Sequence, residues 1–278
     1  MSSEALTWIA GDASTYSLYS ASDRDRGIMG IEGIGLPTLE HIGQPYPFLH
    51  GMLDIARRFQ DRTVLIPWQR QFTNRTTWQA GRSALAAALN PDLGKGQLKF
   101  VDVAAVDWRL DAWAISAPME RRAEWGPFEI RTVLEFWVPW PFWRKAAAET
   151  DTGDFNDANN VDIAISNDGN MPTIPTSIVL AAGAGETITN PVLTIIGTGM
   201  KIDLEHTIAA TETVTITCFP PEDVAVTKDG TSILGDLSYD SVLVGFEIPR
   251  GNQVVRIVGE ATSDGNCLLT FHEWFLGV

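Results

Sequence analysis

From Val161 onward, turn sequences recur about ten residues apart, and no stretch between them carries a helical period. The turns are Asn167-Asp168-Gly169-Asn170, Gly183–Gly185, Gly197–Gly199, Lys228-Asp229-Gly230, Pro249-Arg250-Gly251-Asn252 and Ser263-Asp264-Gly265-Asn266. Between them lie short apolar-alternating runs: Val161–Ser166, Ser177–Leu180, Val192–Ile196, Lys201–Leu204, Thr213–Cys218, Val224–Lys228, Val242–Ile248, Asn252–Glu260 and Leu268–Trp274. A chain punctuated this often has no room for helices of useful length. It folds as a β-sandwich or jelly roll.

The first half obeys a different rule. The whole chain has 278 residues, too long for one ordinary core and suited to two. Up to residue 158 there are 16 Lys+Arg against 20 Asp+Glu; from residue 159 there are 4 against 15. Nine of the ten tryptophans lie at or before Trp143. Charge and aromatic content therefore change together, and the polar run 146–160, rich in Asp and Asn, reads as the connection. The expected domains are 1–158 and 159–278.

Within the first domain, Leu6–Ile9, Tyr16–Tyr19, Thr63–Trp68, Leu98–Val103, Trp108–Ile115 and Glu129–Trp137 read as strands. Pro67 is placed at a strand end, because proline cannot donate to a ladder. In the last of these runs Ile130, Thr132 and Leu134 share one face. One helix of about fifteen residues is expected between Asn74 or Thr76 and Asn90-Pro91. Trp78, Leu85 and Leu89 lie on one side of it, and Ala84 and Ala86–Ala88 favour it. The domain is α+β, a mainly antiparallel sheet or barrel.

Chemistry-bearing patterns are scarce. His41, His50, His206 and His272 sit in no metal-ligand spacing, and no nucleophile elbow occurs. The glycines Gly27, Gly30, Gly33 and Gly35 lack the lysine and helix of a phosphate loop, and read as a tight backbone path at a sheet edge or subunit contact. The acids of 146–160 do not match a calcium loop. Cys218 and Cys267 read as small buried hydrophobes; a disulfide between them is not readable from sequence. Trp274 reads as core. Trp137, Trp140, Phe142 and Trp143 form an aromatic cluster with two readings, core packing or a subunit-contact patch. No catalytic residue, cofactor or metal site is expected, and no run is long and apolar enough to span a membrane. The start Met1-Ser2-Ser3-Glu4 lacks a basic leader, so synthesis and folding in the cytoplasm are expected.

Several segments, in order, resemble phage distal tail proteins. Val161–Asn170 leading into Met171-Pro172-Thr173-Ile174-Pro175 is similar to that family's strand, N-x-G turn and P-T-x-P segment. Met200–Asp203 is similar to a short x-x-I-D strand. Ile248-Pro249-Arg250-Gly251-Asn252-Gln253-Val254 resembles its hairpin, with Arg250 inserted, and Trp274 stands before Gly277-Val278 as in the family. Asn167, Gly169, Pro172, Pro249, Gly251 and Asn252 thus become motif turns. In the first half Ile31–Pro37 with Gly33 and Gly35, Gly51 before a basic strand, the single helix, and Phe136–Trp143 are similar too. Here the chain has Trp140-Pro141-Phe142-Trp143, where the family usually ends in a D-P-F-W-like sequence.

The resemblance implies a mainly β fold: an N-terminal α+β split-barrel-like ring domain with one helix, and a C-terminal galectin-like β-sandwich. It implies a virion protein of the distal tail, not an enzyme. Its partners are then itself, in a homo-oligomeric ring that is commonly a hexamer, the tail tube protein and the tail-tip hub protein. Tape measure and receptor-binding proteins are further partners, and DNA passes only in transit. A formal net charge of -15 suits such a lumen, because phosphate neutralisation is absent. The other reading is a carbohydrate-binding module contacting the host surface.

Overall fold

The computed structural model describes residues 4–20, 26–28, 31–45, 52–117, 128–155, 158–220 and 223–277. Gly30, His50 and Gly51 lie outside them. The chain divides into two compact units, Met1–Ala146 with Phe275–Val278, and Ala147–Trp274. The protein is mainly β, with one α-helix among the described residues.

The first unit contains strands β1 (Ala5–Ile9), β2 (Thr15–Ser20), β3 (Arg26–Ile28), β4 (Leu39–Pro45), β5 (Met52–Phe59) and β6 (Arg62–Gln71). Helix α1 (Arg75–Ala88) follows, then β7 (Gly96–Val101), β8 (Asp107–Ser116), β9 (Glu129–Val138) and β10 (Trp143–Lys145). The main sheet runs β2-β1-β7-β8-β9-β6-β3, antiparallel throughout. Strand β8 turns a corner. Its first part, to Ala112, pairs with β7, and its last part, from Trp113, pairs with β9 across a bulge. The two end strands, β2 and β3, come within packing distance, so the sheet curls into a split barrel. Among the described residues, strands β4 and β5 pair with each other and with no other strand.

Burial alternates along β9: Ile130, Thr132, Leu134, Phe136 and Val138 face inward. They meet Val64, Ile66 and Trp68 of β6, Leu6 and Trp8 of β1, and Leu98 and Leu110. The tryptophans also bind distant backbone. The Trp8 indole donates to the Ala88 carbonyl at 2.7 Å and so caps a helix C-terminal acceptor. The Trp68 indole donates to Leu18 O at 2.7 Å. At the other end of α1, Asn74 accepts from Thr77 N at 3.0 Å, and Thr77 reciprocates in a capping box.

Pro67 is a correction. It lies inside β6, opposite Val133 of β9. Leu65 exchanges both backbone bonds with Glu32, at 2.9 and 3.0 Å, so Leu65 and Pro67 present their backbone groups to that edge. Val64, Ile66 and Trp68 serve β9 instead. The missing proline N–H therefore removes nothing from the β6–β9 ladder.

The second unit has a sheet of β11 (Glu149–Asp154), β22 (Gly265–Phe271), β13 (Pro175–Ala182), β18 (Thr213–Thr217), β19 (Ala225–Lys228) and β20 (Thr231–Ser232), in that order. A second sheet runs β12 (Ala158–Asn167), β21 (Gly251–Ser263), β15 (Val192–Ile195), β16 (Lys201–Asp203). Strands β14 (Ile188–Thr189) and β17 (Thr207–Ile208) form a small separate pair. Ile163, Ile165, Ile178, Leu180, Leu193, Val214, Ile216, Val255, Ile257 and Leu269 are buried in an aliphatic core, as a sandwich of two sheets requires.

Two further expectations change here. The polar run 146–160 is not all connection: Glu149–Asp154 pairs with β22 along its length. Glu149 and Asp151 alternate with Thr150 and Thr152 in an edge strand. Val242–Ile248 forms no ladder strand; Gly245 takes a φ of +101°, and Ile248 makes only a single bridge, to Thr173.

Candidate assembly surfaces

The aromatic cluster separates by depth. Trp143 is fully buried, donates its indole N–H to Ile34 O at 3.2 Å, and lies under the Arg62 guanidinium. Phe142 is buried, edge-on to Phe59 and Trp140. Trp137 alone points out, on the face of β9 opposite the core, with 39% of its surface exposed. It is registered opposite Trp113 of β8, their rings 5.5 Å apart, and its indole donates to Asp61 Oδ2 at 2.6 Å. Exposed Val133 and Ile115 extend the patch. Glu135 is held there by the Ser116 hydroxyl at 2.8 Å. Trp113 was not singled out by the sequence; the register to Trp137 reveals it.

The glycine segment is shaped by its own backbone. Gly33 has a φ of +83°, and a Cβ there would stand 2.2 Å from the Thr63 carbonyl oxygen. Only glycine allows Glu32 to bridge Leu65 beside it. Gly35 faces open space, and its carbonyl accepts from Arg62 Nη1 at 2.7 Å. Burial pushes the Arg62 guanidinium down to about 10.

In the second unit the motif turns converge on one side chain. Asn167 is fully buried. Its Nδ2 donates to Met171 O at 3.0 Å and Ile248 O at 3.3 Å, and its Oδ1 accepts from Gly169 N at 3.1 Å. A Cβ on Gly169 would stand 2.7 Å from Trp274 O. Asn252 accepts from Ser166, and Asn167 closes the β12–β21 ladder opposite Gly251, whose φ is +85°. Pro249 supplies only a backbone carbonyl near Asn167, and Pro172 is half-buried between two bridges. Thr173 Oγ1 donates to His272 O, and buried Glu273 accepts from Asp168 N at 3.1 Å. These residues fasten one end of the sandwich rather than form a ligand site. Asn167's central place is invisible in a motif read as turns.

Trp274 is buried, its ring 5.1 Å from Phe219. Cys218 and Cys267 are free and buried, which pushes both thiols up to about 12. Among the described residues, no group of His, Cys, Asp and Glu is arranged to hold a metal ion.

No family model matches the chain, and no curated protein does. Solved structures match it end to end. The Dit protein of phage SPP1, described as a paradigm of the hub adsorption apparatus in phages infecting Gram-positive hosts, aligns with a TM-score of 0.69 at 11% identity, covering 97% of this chain and 99% of that one. Chains of the phage P2 baseplate in its activated conformation, one with Ca and one with Sr, align with TM-scores of 0.56 at 8% identity, covering 96% and 97%. At these identities the likeness is one of fold.

Proposed function

We propose that this chain is a structural protein of a long-tailed phage, located at the distal end of the tail. It forms a ring, of six copies in the reading its motifs imply, that joins the tail tube to the tail-tip hub. The sandwich presents receptor-binding proteins, and its role is assembly rather than catalysis. The observation that carries this reading is that a tail-hub fold covers both units of the chain, nearly end to end. A local fold shared with many functions would cover one unit only.

Within this reading the ring contact lies on the outer face of β8 and β9, around Trp113, Val133 and Trp137. Exposed Trp137 against half-buried Trp113, rimmed by the carboxylates of Asp61 and Glu135, has the composition of an interface centre. The test is light scattering and negative-stain imaging of the purified chain and of a Val133→Glu, Trp137→Glu variant. Wild type gives ring-sized particles, and the variant gives folded monomers. A wild-type chain that stays monomeric and binds a glycan array would replace this reading with that of a carbohydrate-binding module. A strongly basic lumen in the assembled ring would contradict free passage of DNA.

A further inference from the structure

In the second unit the free edge of β11 runs beside that of β12. A groove of about 580 Å³ opens there, and Asp151, Ala164, Ser166, Ile196, Gln253 and Val254 are among its walls. Gly153 fixes the orientation of β11: a Cβ there would stand 2.7 Å from Ile163 and 2.8 Å from Val161. Asp151, two residues earlier, shares that face by strand alternation, and Ile165 of β12 also lines the groove.

Asp151 is half-buried, and among the described residues no cation or hydrogen-bond donor reaches its carboxylate. Burial without compensation raises its pKa. Such a group costs stability unless a ligand supplies the missing charge. The other polar walls lean toward acceptors. Gln253 uses its amide N–H on Arg250 O at 3.3 Å, which leaves Oε1. Gly197 gives that oxygen room, since a Cβ would meet it at 2.7 Å. Ala164 and Ile196 are exposed, and Val254 adds further aliphatic surface.

We propose that this groove receives a lysine side chain from a partner protein. The ammonium sits on Asp151 and Gln253 Oε1, and the aliphatic stem lies along Ala164, Val254 and Ile196. Lysine matches both halves of the groove, an acceptor-rich end and an apolar track. A saccharide matches less well, because among the described residues no aromatic ring lines the groove. The surrounding charge agrees: residues 159–278 hold 15 acids against 4 bases, a field that steers basic partners inward.

The test uses the full chain with isoleucine δ1-methyl labelling, which stays visible in large assemblies. Ile165 and Ile196 are the reporters. The probe is the capped tripeptide Gly-Lys-Gly, with Gly-norleucine-Gly and an N-acetylglucosamine trimer as comparisons. The lysine peptide shifts both methyls, the norleucine peptide does not, and Asp151→Asn weakens the response by about tenfold. Equal response to norleucine, an unchanged Asp151→Asn, silence with the lysine peptide, or shifts with the saccharide alone would each overturn the proposal. Asp151→Asn relieves an uncompensated charge, so it folds, and its methyl spectrum verifies this.

Discussion

Replacing Asn167 by Ala tests whether one amide holds the end of the sandwich. The change strands the carbonyl of Met171 and the N–H of Gly169, while the Ile248 carbonyl loses one of two donors and keeps the Thr173 N–H at 3.0 Å. Gly169 is buried, so water cannot fully replace its lost bond. An unsatisfied buried group costs about 1–3 kcal/mol, and the Met171 carbonyl, half-buried, less. A total of about 3 kcal/mol is expected. For a unit of this size that lowers Tm by roughly 10 °C. Differential scanning calorimetry of the full chain measures the drop, and hydrogen exchange locates it at 167–173 and 246–252. Asn167→Asp makes a sharper control. It keeps the shape, but the carboxylate cannot donate to carbonyl oxygens and carries buried charge. Its folded pKa is raised, so the damage grows as pH rises above the ordinary carboxylate range and eases in acid. A shift under about 2 °C for Asn167→Ala, or protection lost elsewhere, would refute the assignment of Asn167 as the fastening residue.

Gly33→Ala is expected to destabilise the first unit by about 2–4 kcal/mol, because it meets the Thr63 carbonyl at a positive φ. Gly35→Ala has open space and should leave Tm within about 1 °C, so any loss of assembly it causes reads out a subunit contact. Asp151→Asn should raise the melting temperature at neutral pH. The wild-type carboxyl is raised in the fold, so its penalty appears as pH rises through the unfolded value and vanishes well below it; the gain should disappear near pH 3. Cys218 and Cys267 should resist a thiol reagent at pH 8 until denaturant is added, followed by mass spectrometry.

The elements legible in the sequence are those whose side chains alternate against one core. In β9 the charged and apolar residues take opposite faces, and its span is readable to within a residue. Helix α1 announces itself through Asn74 and Asn90-Pro91. What was hidden depends on neighbours. Pro67 is tolerated because of which edge its nitrogen faces. Glu149–Asp154 looks like solvated linker because an edge strand needs no apolar face of its own. The aromatic run from Trp137 to Trp143 has one composition but two fates, decided where β9 ends and the chain turns inward. Trp113 and Asp61 join Trp137 only through register and a turn, which no local pattern encodes.

The second unit is a single uninterrupted stretch, and residues of the first unit flank it on both sides. Within the first unit, the Lys145 ammonium lies over the Phe275 ring at 5.7 Å, so the chain departs and returns at neighbouring points. Such an arrangement makes the sandwich a cassette. Evolution can lengthen it, exchange it or graft new loops onto it without severing any strand of the split barrel. The sandwich can then vary quickly while the split barrel, which keeps its own core, changes slowly.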